Sequence, residues 1–577
     1  MAKRLSVLRT ALAATAVAAA ALLPAPALAA PGAAADAAQI LHVTAPGDPA
    51  ELGRRLAEAG LDVLGREGSA ILVRSQDGVP GTLAGLGART VRVQQVPAAV
   101  TPRAAAAYPK PKRLAGKEYP TFYGGYRTVE GFHSFVADVA KHYPDLTRRV
   151  AYGESWERGQ DPAKGNQLEA LCITAEAWRG CELKPDSAKP RFLLMAQIHA
   201  REVTTSEQAW RFITRLLDGA YGEAEVAALL GGTEVWVVPQ VNPDGIGVVQ
   251  DGLTNAGTSA NSSAWQRKNR NDSNSVTPCP GPWSSNHEGI DLNRNWDSRW
   301  GGVGTSGNAC AQTYRGPKAA SEPETHQLAG LFEKLFPDQR GPGETDAAPA
   351  TARGAMITLH TYGNLVLMPW GHDPKVKTPN DAGLRSMAFR MSGYNGYTTG
   401  QPGEVLYNVT GAADDWAYDK LGIAGFTFEI GPNSGECNGF HPAYTCQDRF
   451  WELNKDALLY AAKSARQPYV STLGPTVSGL TVKRGLFSVE VSAKADDNAY
   501  GTVGVGRPAA QKVVEAEIYF DRAPWDGGRA RPLKVSGDGA TVELGGKAGA
   551  WGLERLAYVR AKDADGNWGP VTAAWVK

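Results

Sequence analysis

The stretch RFLLMAQIHAREVTTSEQAWRF, residues 191–212, passes from an apolar run into His199-Ala200-Arg201-Glu202 and then into a helix-like segment. An apolar run bounded by polar residues reads as a buried strand, and the segment after it as a helix packed against the same core. Between the two, His199 and Glu202 bring an imidazole and a carboxylate within reach of one metal ion. That pair suits zinc, whose catalytic sites take three protein ligands and keep one position open. Two ligands are present, so a third has to come from elsewhere. By itself the H-x-x-E spacing says little: nine histidines, with glutamate at about one residue in twenty, give roughly 0.4 chance matches.

Strand and helix signals alternate on both sides of this stretch. Helical segments VEGFHSFVADVAKHY, EPETHQLAGLFEKLF and DRFWELNKDALLYAAKSA are interspersed with apolar strands EVWVVPQV, AMITLHTY and GFTFEI from about Glu118 to Arg466. The mixture predicts an α/β domain, a mixed twisted sheet with flanking helices. Segments 254–288 and 338–353 are polar or rich in Gly, Ala and Pro, and are expected to be surface insertions. His360 ends one apolar run, a position suited to a third ligand. QRKNRND supplies Arg267 and Arg270, and GIDLNRNWD supplies Asp291, Asn293 and Arg294. YNVTGAADDWAY followed by GFTFEIG supplies Tyr407, Asp414 and Glu429. A glutamate ending an apolar strand is costly to bury without a partner or a task. Metal-assisted amide hydrolysis needs a base, cations for the oxyanion and anchors for the substrate, and this set holds candidates for each. Singly, each also has an ordinary reading as a solvated arginine, a surface tyrosine or an ion-paired acid.

Taken in order, HARE, NPDG at Asn242–Gly245, RKNR, DLNRNWD, LHTY, YNVTGAADDW and FTFE resemble the zinc carboxypeptidase family, which includes pancreatic carboxypeptidases A and B and bacterial carboxypeptidase T. The resemblance spans Glu118 to Arg466. It implies that His199, Glu202 and His360 hold one Zn2+, with Asp291 orienting His199 through its other ring nitrogen. It also implies Glu429 as general base and Arg270 as the cation that joins zinc at the oxyanion. Asn293, Arg294 and Tyr407 would hold the substrate's terminal carboxylate. Arg201 and Tyr362 fall where the family contacts residues farther up the peptide. Asp414 falls at the base of the pocket for the terminal side chain, where a carboxylate suits lysine or arginine, so basic or mixed specificity is expected. The interval from Glu202 to His360 is longer than in the pancreatic members, which leaves substrate length open. Two alternatives stand beside this reading: a cell-wall peptide hydrolase using the same zinc centre, and a non-catalytic extracellular binding protein.

Ahead of this region, residues 1–29 carry a basic leader, an apolar stretch and a small-residue end at Ala27-Leu28-Ala29, the pattern of a cleaved secretory signal. The apolar stretch is too short for a comfortable membrane span, and no later segment is long enough. Residues 30–117 follow, with a βαββαβ pattern from Gln39 to about Val96 and then an Ala/Pro/Lys-rich linker, Pro97–Lys117. A small unit joined through a cleavable basic linker reads as a pro-segment, removed by an activating protease near Lys117. Residues 473–577 change to short alternating strands, a β-sandwich of unassigned task, in which DADG at 563–566 reads as a hairpin turn. Export favours disulfides among Cys172, Cys181, Cys279, Cys310, Cys437 and Cys446. The sequence leaves 15 pairings open, of which the three consecutive pairs close the shortest loops. A net charge of +1 supplies no basic field for nucleic acid. The partners expected are peptide and protein C-termini, and the chain is expected to be secreted and to act as a monomer.

Overall fold

Every residue of the strand Arg191–Ala196 is buried, as a strand must be when helices cover both faces of its sheet. The computed structural model describes residues 38–75, 79–96, 107–274, 278–549 and 555–577; the expected signal sequence, 1–29, lies outside them. Alternate side chains of this strand serve opposite layers. Phe192 and Leu194 share a core with the helices Val129–His142, Thr204–Gly219, Asp381–Asn395 and Cys446–Ser464. Leu193 and Met195 share another with Pro323–Leu335 and Ala413–Leu421.

The mixed sheet has eight strands in the order Thr398–Gly400, Leu365–Leu367, Ala424–Glu429, Ala355–His360, Arg191–Ala196, Glu234–Val238, Gln167–Ile173, Thr147–Glu154. The central four run parallel, so their carboxyl ends share one rim. There His360 and Glu429 are register partners, each the last residue of its strand. The chain leaving Ala196 delivers His199 and Glu202 to the same rim before the helix Thr204–Gly219 begins. Open α/β sheets place their sites in such crevices.

The N-terminal unit has the expected βαββαβ order. Its antiparallel strands lie as Val63–Glu67, Ala70–Arg74, Gln39–Thr44 and Arg89–Gln95, with helices Pro49–Glu58 and Val79–Gly85. Asp48 caps the first helix by accepting the Ala50 N–H at 3.0 Å, and Pro49 opens it. Leu52 and Leu56 of that helix pack with Leu365, Leu367, Leu406 and Tyr407 of the central region.

Parts of the linker and of the two expected surface insertions are enclosed, although in 338–353 only Arg340, Ala348 and Ala352 are buried. Within the Pro97–Lys117 linker, residues 107–117 are fastened to the central region: Leu114 is fully buried, the Tyr108 ring meets the edge of Trp210, and the Trp210 indole N–H donates to the Pro109 carbonyl at 2.7 Å. The aromatic and leucine side chains hold this segment down while its lysines reach water. The 254–288 segment buries Trp265, Lys268 and Asn269. The Lys268 ammonium donates to the Ala309 and Ala311 carbonyls, and the Asn269 amide to Glu322 and Glu324. Around Arg267 the polar residues are therefore paired internally, whereas Asn255, Asn261, Asp272, Ser273 and Asn274 of the same segment face solvent. In 338–353, Arg340 is likewise buried and donates to the Asp419 and Gly343 carbonyls.

The C-terminal region forms two four-stranded antiparallel sheets, the expected sandwich, around Val489, Val491, Ile518, Val542 and Val559. Its DADG turn is closed by Asp563, which accepts the Asn567 N–H at 2.8 Å. Disulfides join Cys172 to Cys181, Cys279 to Cys310 and Cys437 to Cys446, the shortest-loop pairing. Among the described residues, no helix is long and apolar enough to cross a membrane.

Candidate active site

Three side chains converge at the sheet rim. His199 Nδ1 lies 2.8 Å from one Glu202 oxygen, His360 Nδ1 lies 3.1 Å from the other, and the two Nδ1 atoms are 3.1 Å apart. The outer nitrogens are held away from this point, His199 Nε2 by Asp291 at 3.2 Å and His360 Nε2 by the Thr358 hydroxyl at 3.1 Å. Both imidazoles thus present Nδ1 inward beside a carboxylate. A tetrahedral zinc with bonds of about 2.0–2.1 Å sets its ligand atoms a little over ~3 Å apart, so the donor set fits that ion in chemistry and in spacing. Asp291 orients His199 and, through its second oxygen, accepts two N–H groups of Arg267 at 2.9 and 3.0 Å. Burial opposes the charge of Asp291, but Arg267, Arg294 and His199 outweigh it and hold the carboxyl well below its usual range.

The two arginines of QRKNRND are placed differently from the expectation. Arg267 is the one at the cluster: it lies 3.2 Å from His199 Nδ1 and lines the cavity. Arg270 is absent from the cavity lining and pairs with Glu157 at 3.2 Å, partly exposed. Gln266, Lys268 and Asn269 are fully buried on either side of Arg267, so the segment threads through the interior and its inward arginine comes earlier than the family-based reading assumed.

Glu429 is the least buried residue of its strand, opening onto a cavity of about 60 Å3. Burial, reinforced by the nearby Glu202 charge, pushes its carboxyl well above the ordinary carboxylate range. Asn293, Arg294, Tyr407 and Asp414 line the same cavity. The Arg294 guanidinium donates to the Tyr407 hydroxyl at 3.1 Å and to the Gly304 carbonyl at 3.0 Å. The Asn293 side-chain oxygen accepts the Ala413 N–H, which ties it to the start of the helix Ala413–Leu421. Asp414, in the first turn of that helix, is buried and accepts the Thr427 hydroxyl at 3.1 Å. Burial raises its pKa, and no cation reaches it within ion-pair distance among the described residues. Tyr362 lies outside this cavity, buried against Phe440, and lines an adjoining one with Trp265.

The N-terminal unit contributes residues that carry no sequence signal for the site. Val63 and Leu64 line the cavity, and Asp62 accepts two N–H groups from Arg201 at 2.8 and 2.9 Å and one from Arg74 at 3.3 Å. Arg201 stacks over Phe440 at 4.1 Å and Arg74 over Trp265 at 3.7 Å. Burial works against the Asp62 charge, but the two arginines overcome it and hold the carboxyl at about 2.

A His-Glu-His donor set with an adjacent carboxylate and inward arginines is the equipment of a metal-dependent hydrolase. The zinc carboxypeptidase pattern of the M14 peptidases matches residues 132–457, and the chain belongs to this family, whose members act on peptide C-termini and use one Zn2+. Zinc carboxypeptidase A 1 of Anopheles gambiae is 29% identical over 338 residues, covering 57% of this chain and 64% of that one. Carboxypeptidase B of Bos taurus is 28% identical over 324 residues, covering 55% and 65%. The chain thus spans just under two thirds of the length of either relative. The crystal structure of carboxypeptidase A from Helicoverpa armigera shares the fold, with a TM-score of 0.54 at 19% identity, over 74% of this chain and 99% of that one.

Proposed function

We propose that the protein is a secreted zinc metallocarboxypeptidase, made as a zymogen, which hydrolyses the C-terminal peptide bond of peptides and proteins with basic or mixed specificity. The observation that carries this reading is one cavity holding the His199-Glu202-His360 donors, the Glu429 carboxyl and the Arg294–Tyr407 pair. Zinc, when bound by those donors, supplies a Lewis acid and a nucleophilic water near neutral pH.

The chain's own residues do the rest. Glu429 accepts a proton at its carboxylate as water attacks and delivers it to the departing amine. Arg267 sets a guanidinium where negative charge grows on the carbonyl oxygen. Arg294, Asn293 and Tyr407 take the terminal carboxylate, for which arginine's planar fork is suited. That anchor restricts cleavage to a chain end. Asp414 receives a lysine or arginine side chain, because a buried carboxylate without a cation gains by acquiring one.

The zymogen reading is supported by the N-terminal unit itself. Val63 and Leu64 stand over the cavity, Asp62 occupies Arg201, and an apolar cluster engages Tyr407. Cleavage by an activating protease would release this unit. A complete set of donors, base and anchors speaks against a non-catalytic binding protein, and nothing in the cavity favours cell-wall peptides over ordinary ones. After removal of the unit with a trypsin-like protease, the enzyme should release C-terminal arginine or lysine from blocked dipeptides. It should stop when zinc is chelated; full activity in verified zinc-free protein would sink the reading.

A further inference from the structure

The loop that carries Tyr407 is braced from the C-terminal sandwich. Thr398–Gly400 is the edge strand of the catalytic sheet, and Val503–Val505, from the connection between the sandwich strands Ser488–Asp496 and Val513–Phe520, lies along its open side. The Thr399 N–H donates to the Val503 carbonyl at 3.1 Å, and the Val505 N–H donates to the Thr399 carbonyl at 2.9 Å. Gly504 sits between them with φ +140°, and a Cβ there would fall 2.2 Å from the Thr399 carbonyl oxygen, so this approach requires glycine.

From this contact a short chain of bonds leads to Tyr407. Arg385 Nη1 donates to the Val505 carbonyl at 2.6 Å and to Glu404 at 3.1 Å. Glu404 forms a capping box with Gln401 around Pro402–Val405, and Gln401 Nε2 donates to the Trp370 and Val376 carbonyls. Tyr407 follows Glu404 by three residues. Arg385 and Glu404 keep only 7% and 8% of their side-chain surface exposed, which favours a fixed geometry over a fluctuating surface pair. A second buried ion pair, Arg390 with Asp497 at 2.8 Å, fastens the start of the same connection to the helix that bears Arg385.

We propose that the C-terminal sandwich positions Tyr407, with Gly504 and Arg385 as positioning residues that act through Glu404. The inference rests on the reading that Tyr407 holds the substrate's terminal carboxylate. The N-terminal unit packs on Tyr407 only in the precursor, whereas the sandwich contact persists after maturation and sets the loop in the working enzyme.

The test measures kcat and KM on a blocked dipeptide with a free C-terminal carboxylate, using zinc-loaded, matured full-length enzyme. The set is the wild type, Gly504→Ala, Tyr407→Phe and the double variant. Tyr407→Phe alone examines the carboxylate reading, and an unchanged KM would remove that premise. Gly504→Ala is expected to lower kcat/KM about 10-fold in the wild-type background and less than about 2-fold where Tyr407 is already Phe, because coupled residues are not additive. Equal losses in both backgrounds, or none in the first, overturn the positioning role. If Gly504→Ala does not fold, Arg385→Met leaves the strand contact in place and is read by the same two comparisons.

Discussion

Asp62 and Arg201 form a two-point ion pair, with N–O distances of 2.8 and 2.9 Å, between the N-terminal unit and the turn that carries His199 and Glu202. Both side chains are buried, and Arg74 completes the pairing from the N-terminal unit. Removing one partner of a buried pair leaves an uncompensated charge and costs about 3–5 kcal/mol. Asp62→Ala should therefore weaken docking of the unit by that order. The intact variant precursor should cleave small substrates before any proteolysis, measured against the wild-type precursor; equal latency would mean that Asp62 contributes nothing to silencing.

The same residue predicts a pH window. Its carboxyl is held at about 2 in the folded protein, against roughly 3.9 in an unfolded chain. A depressed carboxylate pKa stabilises the folded state fully above the unfolded value and loses that contribution as pH falls through the folded one, roughly 2–3 kcal/mol in all. Loss of folding stability between about pH 4 and pH 2, tracked by thermal denaturation, should be steeper in the wild type than in Asp62→Asn.

Arg267→Met and Arg270→Met separate the two arginines of QRKNRND. Loss of a cation aimed at a developing oxyanion costs about 10²–10³ in kcat, and Arg267, beside His199, should show a loss of that order. Arg270→Met removes only a partly exposed pair with Glu157 and should stay within a factor of a few, since such pairs contribute about 0–1 kcal/mol. The reverse order of effects would restore Arg270 to the site.

Glu429→Gln should abolish turnover while metal analysis still finds one zinc per chain, because Glu429 lies outside the three-donor cluster. Zinc loss in this variant would make Glu429 part of the metal site instead.

Asp414→Ala should depress release of C-terminal lysine and arginine by about 10- to 100-fold relative to phenylalanine and leucine, the range of a charge-assisted hydrogen bond of about 1.5–3 kcal/mol. Unaltered handling of basic ends would place the specificity elsewhere in the cavity.

Much of the site was legible because its signals are local. H-x-x-E spans a single turn, and His360 and Glu429 each end an apolar run whose periodicity marks a strand, so their shared rim follows from parallel pairing. The choice between Arg267 and Arg270 was not legible. After the short helix Ser263–Trp265 the chain has no repeating geometry, and without a period nothing in the sequence says which side chain turns inward. The burial of the polar residues around Arg267 was hidden for the same reason: their partners, Glu322, Glu324 and the Ala309 and Ala311 carbonyls, are far away in sequence.

The sequence by itself determined the alternation of strands and helices and the H-x-x-E donor pair, since each depends on residue type and short spacing; it left 15 cysteine pairings open, from which the structure takes the three consecutive pairs. Only the tertiary structure decided that Asp62 meets Arg201 across 139 residues, that Arg267 faces His199, and that Gly504 of the sandwich lies against Thr399. Those contacts are fixed by how whole layers pack, and packing brings together groups whose separation along the chain carries no periodic signal.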